Sequence, residues 1–240
     1  MQNEPVIEVT DLRFAWKAKG REILSIPALT IHRGEQVFIN GPSGSGKTTL
    51  LNLLGGLILP GSGAIRVLEQ DLGRLGSGAR DRFRADHIGF VFQMFNLIPY
   101  LSLLDNTLLP CRFSARRQER VRAGGLSLED EARRLLRHLE LDPEELEHEP
   151  VTRLSMGQQQ RVAVARALIG RPELIIADEP TSALDQEARA RFLDLLFLES
   201  EAAGATILFV SHDTTLEEHF SRHMPLTGIN QAGQAGEPVS

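Results

Sequence analysis

The sequence predicts an α/β protein whose core is a mainly parallel sheet flanked by helices, with an antiparallel β subdomain at the N-terminus and a helical subdomain. Short, almost wholly apolar runs indicate strands covered on both faces by helices, and they occur at 37–40, 88–92, 174–177 and 206–210. Amphipathic patterns supply the crossover helices that parallel strands require, at 48–57, 157–170 and 186–203.

The segments around these elements define the subdomains. Residues 6–16 alternate apolar and polar side chains, as an antiparallel or edge strand does. Between Gln93 and Arg153 the strand signal gives way to a charged helical pattern, in which Ser127 and Asp130 form a possible capping pair. We therefore expect one domain over 1–240, with a core made of 1–92 and 160–240 and a helical subdomain at 93–159.

Composition and charge limit the classes of function. The 240 residues are 42% hydrophobic, which suits a globular domain with a sizeable core. A formal net charge of −6 gives no global field that would attract nucleic acid. No apolar run approaches the roughly 20 residues of a membrane span, and the N-terminus lacks the pattern of a secretory signal. We expect a cytoplasmic protein without a span, and one cysteine, Cys111, is compatible with that compartment.

A glycine-rich motif follows the first apolar run and precedes a predicted helix. It fits the phosphate-loop pattern and comprises Gly41, Pro42, Ser43, Gly44, Ser45, Gly46, Lys47 and Thr48, with Thr49 next in the helix. Its glycines let backbone N–H groups turn toward phosphates, to which the helix N-terminus adds partial positive charge. Lys47 reaches the terminal phosphates and Thr48 ligates Mg²⁺. The ligand is a nucleoside triphosphate.

Two acids end the apolar run at 174–177. Adjacent carboxylates at a strand end can simply be solvated, but a phosphate loop upstream favours a catalytic interpretation. Asp178 is then placed to hold Mg²⁺, directly or through water, and Glu179 to orient and deprotonate an attacking water.

A third motif, Leu-Ser-Met-Gly-Gln-Gln-Gln-Arg at 154–161, opens a predicted helix. Ser155 and Gly157 resemble an N-cap, and a second anion site is the rival interpretation. The phosphate loop, this signature and Ala-Asp-Glu-Pro-Thr-Ser-Ala-Leu-Asp at 177–185 follow one another in the order and spacing of the ATP-binding cassette (ABC) family. The chain resembles that family over nearly its whole length.

The resemblance implies further roles. Trp16 stacks on adenine, Gln93 senses Mg²⁺ and the membrane partner, and His212 contacts the γ-phosphate. Ser155, Gly157 and Gln158 meet ATP across a dimer, and Asp185 lies at the dimer seam. Trp16 could instead pack on the core as an edge-strand aromatic, and His212 could be a surface residue. Independently of the family, Gly41, Gln93, Asp178 and His212 each follow an apolar strand, and parallel strands bring such ends to one edge.

The sequence departs from the family pattern at two places. Met156 stands where the signature usually has glycine, and we expect its side chain to point away from the nucleotide because Ser155 and Gly157 keep the contacting positions. After His212 the family has a strand and an Asp-Gly turn, whereas this chain reads His-Met-Pro-Leu-Thr-Gly-Ile-Asn at 223–230. We expect the last sheet elements to be degenerate.

The resemblance implies an ATPase subunit of an ABC transporter that uses ATP and Mg²⁺. Two copies would sandwich ATP head to tail, and separate integral membrane permeases would receive the motion through the groove near Gln93 and residues 94–104, on the cytoplasmic face of the inner membrane. Phe95, Leu97 and Ile98 could instead be subdomain core. The segments 89–99 and 101–110 look most like the lipoprotein-release and macrolide-export branch. One alternative is an ABC ATPase that drives transmembrane signalling or control of envelope enzymes without moving a solute, and another is a soluble ABC ATPase of DNA repair or translation. A phosphoryl-transferring kinase with the same loop ranks lower, because it would not need the signature at 154–161.

Overall fold

The computed structural model describes residues 4–17, 20–146, 149–182, 184 and 186–232. Within them the strands are β1 (Pro5–Phe14), β2 (Leu24–His32), β3 (Gln36–Asn40), β4 (Ser62–Val67), β5 (Gln70–Asp71), β6 (Ile88–Val91), β7 (Leu174–Asp178), β8 (Thr206–Ser211) and β9 (Arg222–Pro225). The helices are α1 (Lys47–Leu54), α2 (Ser77–His87), α3 (Leu103–Phe113), α4 (Ala115–Ala123), α5 (Leu128–His138), α6 (Pro143–Leu146), α7 (Met156–Leu168), α8 (Gln186–Ala203) and α9 (Leu226–Ile229). None of these helices is both long and apolar enough to cross a bilayer. The chain forms two compact units, Met1–Asp81 with Leu208–Ser240, and Arg82–Ile207.

The first unit contains an antiparallel sheet with the strand order β2-β1-β4-β5. β1 pairs with a strand on each side, so that Val9 lies opposite Leu29 of β2 and Ile65 of β4. All three side chains are buried and form part of the core. The predicted N-terminal strand is therefore confirmed as antiparallel, although it ends at Phe14 and leaves Trp16 beyond it.

The first unit also contains parallel strands. β3 pairs in parallel with β9, Ile39 lying opposite Met224, and β8 adjoins β3 on the other side. Phe38, Phe209 and Phe220 pack their rings with centroids 5.0–6.0 Å apart. The strands predicted at 37–40 and 206–210 are confirmed to within one residue.

The C-terminal part of the first unit corrects the expectation that the last sheet elements are degenerate, because β9 pairs in parallel with β3 at all four of its positions. β9 is four residues long, and the short helix α9 follows it directly. Asn230 then binds the start of β2, because its side chain accepts from Ser25 N at 2.8 Å and donates to Ile23 O at 2.9 Å. Gln231 N adds a bond to Ser25 O at 2.8 Å. The segment after α9 is thus held against the start of β2.

The second unit contains the parallel pair β6 and β7, with Phe90 opposite Ile176. Both predicted strands are confirmed to within one residue, and α8 coincides with the predicted helix at 186–203. The predicted helical insert contains α3, α4, α5 and α6, and Ser127 does cap α5. The subdomain boundaries at 93 and 159 stay a prediction.

Arg117, on α4, ties the helical insert to the rest of the second unit. Its side chain is 1% exposed and donates to four backbone carbonyls, those of Ala85 and Ile88 at 2.7 Å each, Ile169 at 2.7 Å and Ala167 at 3.2 Å. Burial lowers the pKa of Arg117 to about 10, so the guanidinium stays charged at neutral pH. One side chain thereby joins α4 to the start of β6 and the end of α7.

A second polar cluster surrounds Glu173, which precedes β7. Its carboxylate accepts from His87 Nδ1 at 3.1 Å and from Arg120, and Arg116 lies 3.5 Å away. Burial alone would raise the pKa of Glu173, but the hydrogen bonds and charges of His87 and Arg120 outweigh it and lower the pKa to about 2. The carboxylate is therefore ionised throughout the neutral range.

Candidate functional site

The predicted phosphate loop joins β3 to α1 in the first unit. Gly46, the N-cap of α1, has a φ of 102°, and a Cβ there would lie 3.0 Å from a methyl carbon of Leu24. The positive φ favours glycine, and any side chain here would have to displace the Leu24 methyl group. Serine hydroxyls cap α3, α4, α5 and α7, whereas no side chain caps α1. The N–H groups of its first turn have no partner within a helix, which is the arrangement that binds phosphate.

Lys47 spans this loop. The side chain is 8% exposed, and its Nζ donates to Gly41 O at 2.7 Å and to Pro42 O at 3.2 Å. Thr48 is exposed on the first turn of α1, and the hydroxyl of Ser45 is buried with no hydrogen-bond partner among the described residues. The loop therefore offers an ammonium, an exposed hydroxyl and a buried hydroxyl without a partner to a ligand.

Two other predicted residues belong to the same unit. Trp16 lies in a bend after β1 and is 63% exposed. Its ring meets the core residue Phe14 edge-on at 5.1 Å, and its contact with adenine stays a prediction. His212 is exposed directly after β8, which leaves its role a prediction.

In the second unit the two predicted acids end β7. Asp178 is the last residue of the strand and is partly buried. Glu179 is 8% exposed and has a φ of 47°, in the left-handed region that non-glycine residues rarely adopt. Gln160, fully buried on α7, donates from its amide to Pro180 O. The backbone after Glu179 is thus held by a side chain from the signature helix.

Gln93 lies in a tight turn after β6. Phe95 N donates to Phe92 O at 2.9 Å, so that Gln93 and Met94 form the tip. Both tip side chains are exposed, Met94 by 81%. Phe95 is buried, which confirms the core interpretation for that residue, while Leu97 and Ile98 are partly buried.

The signature motif starts α7. Ser155 Oγ accepts from Gln158 N at 3.2 Å, and Gln158 Oε1 accepts from Ser155 N at 2.8 Å. This capping box confirms the N-cap interpretation, and the contact with ATP stays a prediction. Met156 is 56% exposed at the first position of the helix, followed by Gly157.

The structure brings the predicted residues into two groups. The loop, Trp16 and His212 belong to the first unit, and Gln93, Asp178, Glu179 and the signature belong to the second. Asp185 lies outside the described residues. The supporting residues Gln160, Arg166 and Arg117 were not predicted from the sequence. For the first two, the available signal was a polar side chain on an otherwise apolar helix face.

Comparison with known proteins agrees with these features. Residues 24–182 match the family model described as ABC transporter. The chain is 40% identical to an uncharacterized ABC transporter ATP-binding protein, YbbA of Escherichia coli strain K12, over 94% of this chain and 96% of YbbA. It is also 40% identical to the macrolide export ATP-binding/permease protein MacB 1 of Aeromonas hydrophila, over 98% of this chain but 35% of that protein. The chain thus spans about a third of the length of such permease-fused relatives.

Solved structures give the same answer for the fold. The ATP-binding cassette MJ0796, a dimer in a post-hydrolysis state bound to ADP and phosphate, superposes with a TM-score of 0.79 at 36% identity. The match covers 91% of this chain and 93% of the other. The predicted cassette-type α/β fold is therefore confirmed.

Proposed function

Because the chain belongs to the ABC transporter family and is an ATPase of that family, we propose that it is the ATP-hydrolysing subunit of a transporter of the export or envelope type. The observation that carries the proposal is the loop before α1, where Gly46 starts the helix at a φ of 102° and the Lys47 ammonium spans the loop. The subunit works on the cytoplasmic face of the membrane. The export-type relatives, whose names join an ATP-binding part to a permease, support this assignment.

ATP binds first through its phosphates and its base. The uncapped N-terminus of α1 offers N–H groups and partial positive charge to the phosphates. When ATP binds, the Lys47 ammonium gives up its hydrogen bonds to the oxygens of Gly41 and Pro42 and donates to phosphate oxygens instead. The ammonium is therefore hydrogen-bonded both with and without nucleotide. The exposed ring of Trp16 stacks on adenine, an interaction that any base offers through its π-face.

Magnesium accompanies the nucleotide. Thr48, Asp178 and Gln93 carry hydroxyl, carboxylate and amide oxygens, which are the hard donors that Mg²⁺ prefers. This donor set fits the ion, and the exposure of Thr48 on the first turn of α1 supports its part in it. When bound, Mg²⁺ neutralises charge on the transferred phosphate.

Glu179 is the general base. Its carboxylate takes the proton of the attacking water, while His212 contacts the γ-phosphate. Two observations support this role: the left-handed backbone at Glu179 and the hydrogen bond from the Gln160 amide to the carbonyl oxygen of Pro180. Both fix the backbone around Glu179, and a base must be held within hydrogen-bond reach of the water.

Two copies complete the site. Ser155, Gly157 and Gln158 of one copy approach the nucleotide on the loop of the other, and Asp185 lies at the seam. Backbone N–H groups at the start of α7 then stabilise charge that develops on the phosphates, and hydrolysis removes the link between the copies. The dimer of the relative MJ0796 supports this arrangement. Met156 points away from the nucleotide, as its 56% exposure allows.

A permease subunit docks beside Gln93. Met94 and Tyr100 are each 81% exposed, and exposed apolar side chains that lie close together in sequence are typical of a protein contact. A permease encoded beside this gene, co-expressed and co-purified with the chain, should raise its ATPase rate. Met94→Glu with Tyr100→Glu should abolish that stimulation, and unchanged stimulation would argue against docking here.

The central test is Glu179→Gln. We expect ATP binding to be kept, while hydrolysis falls on the order of 10²–10⁴-fold, the range for loss of a general base. Glu187→Gln, on the exposed side of α8, is the matched control and should turn over like the wild type. Calorimetry measures binding and phosphate release measures turnover. A Glu179→Gln protein that hydrolyses ATP normally would refute the role.

The same variant tests pairing. With ATP and Mg²⁺, Glu179→Gln should run as a dimer in size-exclusion chromatography with light scattering, and as a monomer without ATP. Lys47→Ala should stay monomeric because it loses the phosphate contact. If Glu179→Gln binds ATP but never pairs, even with its permease present, the shared-nucleotide mechanism is wrong.

A further inference from the structure

Arg166 lies on the buried face of α7, about three turns after the N-cap Ser155, and is 8% exposed. Its guanidinium donates to the carbonyl oxygen of Asn96 at 2.6 Å and to that of Phe95. Both carbonyls are neutral backbone groups. Among the described residues, these are the groups that the guanidinium binds.

Burying the Arg166 charge against neutral groups is energetically unfavourable. Burial lowers the pKa of Arg166 to about 10, so the side chain still carries its charge at neutral pH. A buried charge is normally matched by an opposite charge, and here it is matched by two dipoles.

The two carbonyls belong to a strained stretch of backbone. Phe95 has a φ of 56° and Asn96 a φ of 48°, so two successive non-glycine residues lie in the left-handed region. Such a backbone conformation persists only where surrounding interactions stabilise it. Here the stabilising interactions are the packing of the Phe95 ring, which is 4% exposed, and the two hydrogen bonds from Arg166.

Gln93 and Met94 form the tip of the turn that this stretch closes. The turn runs from Phe92 to Phe95. Its base is fixed to α7 and its tip is exposed. The same helix starts at the signature residue Ser155. α7 therefore connects the residue proposed to sense Mg²⁺ and the permease with the residues proposed to meet the partner copy.

We propose that Arg166 is a positioning residue that fixes the turn Phe92–Phe95 to α7, so that Gln93 and Met94 move with the signature helix as one body. The proposal rests on the proposed function for the roles of Gln93 and the signature. The attachment itself does not depend on that function and is measured separately.

The attachment is tested with a nitroxide label at Met94→Cys. Cys111 does not compete for the reagent, because it is 1% exposed and burial raises the pKa of its thiol to about 11. In electron paramagnetic resonance without nucleotide, the label should be markedly more mobile in Arg166→Gln than in the parent. Arg166→Lys keeps the charge but not the fork that reaches two carbonyls, so it should lie between them. Arg191→Gln, at an exposed arginine on α8, is the control.

Label mobility at Met94 that is the same in the parent, Arg166→Gln and Arg166→Lys would overturn the proposal. If Arg166→Gln does not fold, Arg166→Lys alone decides between the two outcomes, because a label as immobile as in the parent counts against the attachment.

Kinetics test the consequence. In Arg166→Gln we expect the affinity for ATP to stay within about twofold, since loop and adenine contacts are untouched, and kcat to fall by about 10-fold to 100-fold, as for a misplaced catalytic group. A parallel loss of ATP affinity and kcat would indicate general damage and overturn the positioning role. Failure of the proposed function appears elsewhere, as normal hydrolysis by Glu179→Gln, and leaves the label result standing.

Discussion

Arg117→Met tests how much a single buried guanidinium contributes to the second unit. The substitution keeps an apolar stem of similar length but removes every hydrogen bond to the carbonyls of Ala85, Ile88, Ala167 and Ile169. All four bonds connect parts of the chain that are distant in sequence, so no local rearrangement of α4 replaces them.

The magnitude follows from the bonds and the burial. A hydrogen bond contributes about 1 kcal/mol net, so four contribute about 4 kcal/mol. The buried charge of Arg117 carries a desolvation cost, which is visible in its lowered pKa. The variant has no such cost, and this offsets part of the roughly 4 kcal/mol that the hydrogen bonds contribute. We therefore expect the free energy of unfolding to fall by about 2–4 kcal/mol. For a chain of this size, that lowers the melting temperature by about 5–15 °C.

The assay is thermal unfolding followed by circular dichroism, with Arg116→Met as the matched control. Arg116 is the preceding residue on the same helix, but its side chain is 53% exposed, so its loss should cost no more than about 0.5 kcal/mol. If Arg117→Met melts within about 2 °C of Arg116→Met, the four carbonyls do not depend on the guanidinium and the reasoning fails.

Three other features of the two units can be tested, each by its own substitution and assay. Because its folded pKa of about 2 lies below the ordinary 4.5, Glu173 stabilises the fold above that ordinary pKa. Glu173→Gln should cost up to about 3 kcal/mol at neutral pH, and the difference should vanish as the pH falls through the folded pKa; equal melting at neutral pH would contradict this. Gly46→Ala meets both a positive φ and a crowded site, whereas Gly44→Ala has a positive φ and open space. Urea unfolding should show a loss of about 2–4 kcal/mol for the first and about 1–2 kcal/mol for the second, and equal losses would argue against crowding. Trp16→Ala should melt like the wild type yet bind ATP at least about fivefold more weakly by calorimetry, since base stacking contributes about 1–3 kcal/mol; unchanged affinity would remove Trp16 from the site.

The strands of the parallel pairings could be predicted from the sequence because burial on both faces leaves a continuous apolar run. β4 escaped prediction for a local reason. It opens with Ser62 and Gly63, and Gly63 has a φ of 83° where a Cβ would lie 2.3 Å from Asp11 O. The register of β1 against β4 shifts between Thr10 and Arg13 beside this point. α2 was missed because none of its residues is buried, so no apolar periodicity marks it.

The residues of the candidate site also differ in how far the sequence predicts them. The sequence predicts Lys47, Asp178 and Glu179 as site residues because their residue types occur in fixed motifs, and their roles stay a prediction. Gln160 and Arg166 could not be predicted, because their partners are backbone carbonyls that every residue possesses. A polar side chain on a helix face that packs inward indicates some buried partner, but only the fold identifies which one.

The left-handed backbone at Glu179 sets an unfavourable backbone conformation against a proposed catalytic role at one position. Glycine adopts this conformation without the steric cost of about 1–2 kcal/mol that a Cβ brings. It would also remove the carboxylate. With Glu179 as the proposed general base, a screen for heat resistance alone would not retain its carboxylate. Directed evolution of this chain therefore has to select for turnover and thermal tolerance together.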